Sequence, residues 1–334
     1  AYGAKVYSKG DLVKENLTTD SNGAVILKNL HLGTYIIKEK QAPTGFYNAG
    51  EEKSVTLSYA GQNVDVVFSE TTFTNDRQKA EVVVTKQDKD IENPLDGGIF
   101  GLYAASDIKN ADGTVVVKKG TLIEKVTTGN DGTAKFTADL PLGFSYDVKE
   151  VQAPSGFYNA GEEKTVKLAY AGQNVEVVFS ETTFTNDRQK AEVIVTKQDK
   201  DTENPLNGGI FGIYAASDIT NVDGTVVAKK GTLIEKATTG TDGKAKFSAD
   251  LPLGFSYEVK EEQAPTGYVR NTEDVYQFAF SYTNDKEAKV TFNHTFKNER
   301  VTAKISLQKL DAETKKAVPQ GDATLEKAVY GLYA

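Results

Sequence analysis

FYNAGEEKSVTLSYAGQNVDVVFSETTFTNDRQKAEVVVTKQDKD, residues Phe46–Asp90, returns at Phe157–Asp201 as FYNAGEEKTVKLAYAGQNVEVVFSETTFTNDRQKAEVIVTKQDKD, with only five of the 45 positions changed. The offset from Phe46 to Phe157 is 111 residues. NPLDGGIFGLYAASDI at Asn93 returns as NPLNGGIFGIYAASDI at Asn204, and QAPTGF, QAPSGF and QAPTGY begin at Gln41, Gln152 and Gln263, all at that spacing. A period this long is too large for a solenoid or propeller unit and fits a chain of whole domains.

Within one period the pattern is that of β-structure. Short alternating runs rich in Val, Thr, Tyr and Phe are separated by turn clusters such as NADGT, GNDGT and LPLG, and no segment keeps a helical apolar period over three turns. Seven or so strands per repeat predict an all-β fold of tandem antiparallel, immunoglobulin-like sandwiches. The frame divides the chain into residues 1–77, a repeat lacking its first strand; 78–188 and 189–300, two complete repeats; and 301–334, the opening strands of a further repeat. Asn75 to Lys86 and Asn186 to Lys197 contain no Gly or Pro, so the last strand of one domain runs into the first of the next and an elongated rod is expected.

Composition removes whole classes of function. A net charge of −8 with scattered basic residues argues against nucleic acid, and no apolar run is long enough for membrane insertion. The absence of Cys excludes disulfides and thiolate chemistry, and two His (His31 and His294) leave little for a metal; no metal or other cofactor is expected. With no Met, the chain reads as a segment of something longer, with export signal and anchor outside it. Neither an LPxTG-type sorting signal nor a Tyr-Pro-Lys motif occurs.

Strand alternation places three polar residues of each complete repeat on the inward face. Lys86 shares a face with Val82 and Val84, and Lys197 with Val193 and Val195; Lys309 is in phase with Ile305 and Leu307. Before each QAP motif, Glu39, Glu150 and Glu261 share a face with Tyr35, Tyr146 and Tyr257. The last strands carry Phe-x-Asn, at Asn75, Asn186 and Asn298, with Asn293 a weaker alternative to the last. Isolated buried charges cost several kcal/mol, so such groups neutralise or pair. Desolvation lowers a lysine's pKa and raises a carboxyl's, giving a nucleophilic amine and an acid that can polarise an amide. Two outcomes stay open on these residues alone: a buried Lys–Glu ion pair with Asn as partner, or attack of the amine on the Asn side chain with loss of ammonia and formation of an isopeptide bond.

These residues resemble the collagen-adhesin B-type domains, also called SpaA-type or prealbumin-like, of Gram-positive surface adhesins and pilins. The resemblance rests on Lys86-Gln87-Asp88 with LDGGIFGLY from Leu95, Lys197-Gln198-Asp199 with LNGGIFGIY from Leu206, and a Gly-x-Tyr-x-x-x-Glu-x-x-Ala-Pro-x-Gly-Tyr box matched by Gly33 to Phe46. Repeats two and three carry one extra residue there, at Gly143-Phe144-Ser145-Tyr146 and Gly254-Phe255-Ser256-Tyr257, for which a bulge near the glycine is expected. The resemblance implies self-formed isopeptide bonds Lys86–Asn186 and Lys197–Asn298, assisted by Glu150 and Glu261. Glu39 is the corresponding assisting acid of repeat one, and Asn75 in repeat one and Lys309 in the tail are then unpaired in this chain.

The function expected is a secreted, cell-wall-anchored stalk segment at the extracellular surface, a monomer whose partners are neighbouring domains of the same surface protein. Turnover as an enzyme is not expected beyond one self-crosslinking event per domain. An alternative is a module that binds a host matrix protein or cell-surface ligand, with its site in the divergent half of repeat three, Val269–Thr295. A minor alternative is head-to-tail complementation, in which one chain's Lys309 strand fills the vacant edge beside Asn75 of another.

Overall fold

The computed structural model describes residues 5–334. Among the described residues there are strands and turns but no helix, and repeats two and three build the same module. In module two, a four-stranded sheet runs in the order Glu163–Leu168, Phe144–Gln152, Ile99–Ala104, Leu122–Thr127. Facing it, a three-stranded sheet runs Val177–Asn186, Lys79–Asp88, Thr133–Phe136. Module three repeats both sheets, with Lys190–Asp199 between Lys244–Lys246 and Lys289–Asn298. Four plus three strands form the sandwich, and a two-stranded hairpin (Ile108–Lys109 with Val115–Val117) is added at its side.

Most strand pairs are antiparallel, but the first and last strands of each complete module pair in parallel. Lys86 lies opposite Phe184 and Asp88 opposite Asn186, and the same register sets Lys197 against Phe296 and Asp199 against Asn298. The inward faces alternate as the sequence requires: Val82 and Val84 are fully buried, and so is Lys86. Phe100 of one sheet meets Phe184 of the other at 4.9 Å between ring centroids; Phe211 and Phe296 repeat the contact at 4.8 Å. Each module has its own apolar core.

The extra residue before Tyr146 and Tyr257 is not absorbed in a bulge beside the glycine. Gly143 and Gly254 adopt φ +90° and +93° in a turn that precedes the strand, and Glu163–Leu168 pairs with Phe144–Lys149 without a break. The irregularity in that strand falls at its far end, between the Ile99↔Gln152 and Phe100↔Glu150 pairs.

A second turn glycine is tied to the lysine strand. Gly243 (φ +72°) accepts a hydrogen bond from Lys197 N at 2.7 Å, and a Cβ built on it lies 2.7 Å from Lys197 O. Gly243→Ala therefore meets both a left-handed backbone and a carbonyl that cannot retreat. Loss of about 2–3 kcal/mol from module three is expected, read as a lower denaturant midpoint for that module only.

The first repeat is less complete. Its strands are Gly33–Lys38 and Glu52–Leu57, and the stretch carrying Asn75 forms no strand, because no described residues pair beside it in parallel as Lys79–Asp88 does beside Val177–Asn186. Residues 301–334, expected as opening strands, likewise form none: Ile305, Leu307 and Lys309 are exposed, with no facing sheet to take their apolar face.

The joints are hydrogen-bonded rather than loose. Gln78, between modules one and two, is buried; its amide donates to the carbonyls of Gly172 and Val175 at 3.0 and 2.8 Å. Gln189, between modules two and three, is buried and donates to Thr283 Oγ1 and the Glu287 carbonyl, both at 2.9 Å.

Candidate functional site

Three strands converge on the polar cluster of module two. The central strand of the three-stranded sheet aims Lys86 inward, the neighbouring Val177–Asn186 aims Asn186 inward, and Phe144–Gln152 brings Glu150 from the opposite sheet. The Lys86 and Glu150 side chains are 0% and 1% exposed. Lys86 Nζ lies 3.0 Å from Glu150 Oε1 and over the Phe100 ring, 5.9 Å from its centroid. Asn186 donates through Nδ2 to Glu150 Oε2 at 2.8 Å and to the Tyr158 carbonyl at 2.6 Å.

The hydrogen-bond inventory of this site is incomplete. Lys86 Nζ and Glu150 Oε1 are at contact distance but misaligned for a hydrogen bond, so both atoms, and Asn186 Oδ1, are buried without a hydrogen-bond partner. Buried polar atoms are rarely left so, since each costs about 1–3 kcal/mol.

Module three assembles the same groups with more of their hydrogen bonds made. Lys197 and Glu261 are 0% exposed with Nζ 3.2 Å from Oε1, and Lys197 Nζ also hydrogen-bonds Asn298 Oδ1. Asn298 Nδ2 donates to both Glu261 oxygens, at 2.9 and 3.1 Å, and the Asn271 amide donates to Oε2 at 2.9 Å. Asn293 points outward and is exposed, so Asn298 is the amide at this site. In both modules burial pulls the lysine pKa below its ordinary 10.5, against the opposing field of the glutamate. A buried amine shifted in that direction is more nucleophilic than a solvated one.

In the first repeat, Asn75 Nδ2 donates to Glu39 Oε2 at 2.6 Å and to the Tyr47 carbonyl at 3.1 Å, reproducing the acid–amide half of the site, half-buried. Lys309 is exposed and the structure does not bring it to a carboxylate.

Sequence reasoning named the aspartates two residues after the lysines only as part of a motif and gave them no role. Asp88 and Asp199 are buried, and each caps the turn that follows, accepting backbone N–H groups of residues 90–91 and 201–202. Asp199 also accepts Tyr268 OH at 2.8 Å and Arg300 Nε at 2.7 Å. The Thr202 amide, Arg300 and Tyr268 together hold its carboxyl well below the usual range. The inward phase of Asp88 and Asp199 was the available signal.

Three comparisons bear on this geometry. A family model described as the SpaA prealbumin-like fold domain matches at residues 4–72, 80–183 and 191–295. The chain belongs to this family. The chain is 28% identical over 140 residues to the trypsin-resistant surface T6 protein of Streptococcus pyogenes serotype M6, across 41% of this chain and 26% of that protein. Among solved structures, the TIE protein of Bacillus anthracis superposes with a TM-score of 0.56 at 27% identity, covering 85% of this chain and 45% of that one. A streptococcal ancillary pilin is 20% identical over 84% of this chain and 80% of its own, with a TM-score of 0.28. The chain thus spans about a quarter of the T6 protein and under half of the TIE chain. SpaA-type modules are structural units of Gram-positive surface proteins and pilins, and the fold is of that kind.

Proposed function

We propose that the chain is a stalk segment of a Gram-positive surface adhesin or pilus component, stiffened by Lys86–Asn186 and Lys197–Asn298 isopeptide bonds that form without an external enzyme. The observation that carries this reading is the meeting, twice over, of an amine, a carboxamide and a carboxyl in a closed interior. Glu150 takes a proton from the Lys86 ammonium, and the freed lone pair attacks Asn186 Cγ. Of the three ammonium protons one stays on the new amide. Glu150 relays the other two to Nδ2, which departs as ammonium when the Cγ–Nδ2 bond breaks. The hydrogen bond from Nδ2 to Glu150 Oε2 lies along that route. Fixed proximity replaces an encounter, a gain equivalent to effective molarities of about 10⁵–10⁸ M in favourable cases. The three orphaned atoms of module two are the reacting amine, the accepting acid oxygen and the amide oxygen, which supports the same reading.

The bond joins the first strand to the last across a loop of about 100 residues. By analogy with disulfide loop closure this stabilises by on the order of 4–5 kcal/mol. Tension entering at Lys79 crosses from Lys86 to Asn186 and leaves for the next lysine strand, so residues 87–185 lie outside the covalent path. A surface protein without Cys gains a disulfide's benefit with no oxidant.

Intact-mass measurement tests this directly. The chain is expected to weigh less than its sequence by two ammonia molecules, one lost from each complete module and none from the first repeat. A chain of unmodified mass removes the proposal. The host-ligand alternative located in Val269–Thr295 receives no specific support: Tyr276, Phe278, Phe292 and His294 of this half stack on one another at 4.2–5.4 Å, so its divergence is accounted for by internal packing.

A further inference from the structure

The turns that follow Glu39 and Glu150 are each held by the next module. In module two this turn, residues 153–159, is hydrogen-bonded both to the acid's backbone and to the amide. Asn159 Nδ2 donates to the carbonyl of Glu150 at 3.1 Å, Tyr158 O receives Asn186 Nδ2 at 2.6 Å, and Tyr158 N donates to Asp187 O at 3.0 Å. Both ends of the turn are gripped by one residue of module three. Asp285 Oδ2 accepts the Ala153 amide at 3.0 Å, and Asp285 O accepts the Asn159 amide at 2.8 Å. Gln189 locks the gripping loop in place: Oε1 accepts Thr283 N, Nε2 donates to Thr283 Oγ1, Asn284 O and Glu287 O, and its own amide donates to Gly156 O.

The preceding joint is built the same way with a different residue. Gln173 Oε1 accepts the Ala42 amide at 2.7 Å and Gln173 O accepts the Asn48 amide at 2.9 Å, while Gln78 takes the place of Gln189. The second half of module three has diverged from its copies, yet where Gln173 became Asp285 an acceptor for the alanine amide was kept. Module three itself holds its acid in another way. Arg270 Nε donates to the Glu261 carbonyl at 2.8 Å and Asn271 N to Glu261 Oε2 at 2.9 Å, where module two has Asn159 on the carbonyl and leaves Glu150 Oε1 orphaned. The corresponding Ala264 is half-buried, whereas Ala153 is 1% exposed.

We propose that the clamp supplied by each following module positions the acid and the amide of the module before it, with Asp285 and Gln189 as positioning residues for the Lys86–Glu150–Asn186 site. This rests on the crosslink reading. It makes bond formation in module two follow the docking of module three, so a module is sealed only once its neighbour has folded against it; module three carries its own substitute in Arg270 and Asn271.

The test follows ammonia loss over time in the freshly synthesised full chain, digested so that the Lys86–Asn186 and Lys197–Asn298 products are weighed separately. Asp285→Ala and Gln189→Ala are each expected to slow module two by roughly tenfold or more, the scale at which small misplacements act on oriented reactions, and to leave module three at the wild-type rate. Asp285→Gln is expected to restore module two, because Gln173 does that work in the other joint. The unchanged rate of module three serves as the folding control that a merely structural defect would not pass. Equal rates for module two in wild type and Asp285→Ala overturn the clamp alone. A wild type that loses no ammonia overturns the crosslink reading and the clamp with it.

Discussion

Glu261→Ala is expected to leave module three uncrosslinked and to bring it close to unfolding. Two losses add. The bond itself contributes on the order of 4–5 kcal/mol by loop closure. Removing one member of a buried pair strands the other, at about 3–5 kcal/mol, and Lys197 has no exposed surface through which to find water. Together these approach the whole stability of an ordinary domain, about 5–15 kcal/mol. Lys197→Met separates the two terms. It forbids the bond equally but removes the amine, while Glu261 keeps the Asn298 amide and the Asn271 N–H as donors. Denaturant unfolding followed by mass analysis should therefore rank wild type above Lys197→Met, and Lys197→Met above Glu261→Ala, with both variants retaining the ammonia of module three. Equal stability of the two variants would show that the buried amine is not a burden, and a crosslink that survives Glu261→Ala would remove the acid from the reaction.

The triads were legible because a strand writes its two faces into the sequence with period two. Lys86 reads as inward only by its phase with Val82 and Val84, and Glu150 by its phase with Tyr146; burial of all three polar groups follows from the same rule. The parallel pairing of Lys79–Asp88 with Val177–Asn186 was not legible, since nothing local distinguishes a strand's parallel from its antiparallel neighbour. The joints were hidden for a different reason. Gln78 and Gln189 follow an Arg in a polar stretch, and their partners lie more than 90 residues downstream in loops that look like ordinary turns. The strands expected over 301–334 had the right alternation but no facing sheet, and alternation without a partner leaves Ile305 and Leu307 in solvent.

Asn186→Ala should make the stability of module two climb with pH relative to the wild type's, below the range in which tyrosines titrate. The variant keeps Lys86 as a free amine, and burial pulls its pKa below the ordinary 10.5 although Glu150 opposes the shift. Between the depressed value and 10.5 the unfolded chain binds more protons than the folded one, so stability rises with pH through that window and is lowest below it. In the crosslinked wild type the same nitrogen is an amide and does not titrate. The useful range ends near the ordinary tyrosine value of 10.0, because the Tyr146 phenol is pushed up to about 12, chiefly by burial, and above 10.0 begins to withdraw stability from both proteins. Denaturant midpoints for module two, taken from about pH 7 to about pH 10, should climb for Asn186→Ala relative to wild type. Adding Lys86→Met to that variant should abolish the climb, because the titrating amine is gone while the missing crosslink is unchanged. A flat difference between Asn186→Ala and wild type would mean either that Lys86 keeps an ordinary pKa in its dry site or that wild-type Lys86 is also free. The mass of the wild type separates those two, and only the second removes the covalent path through the module.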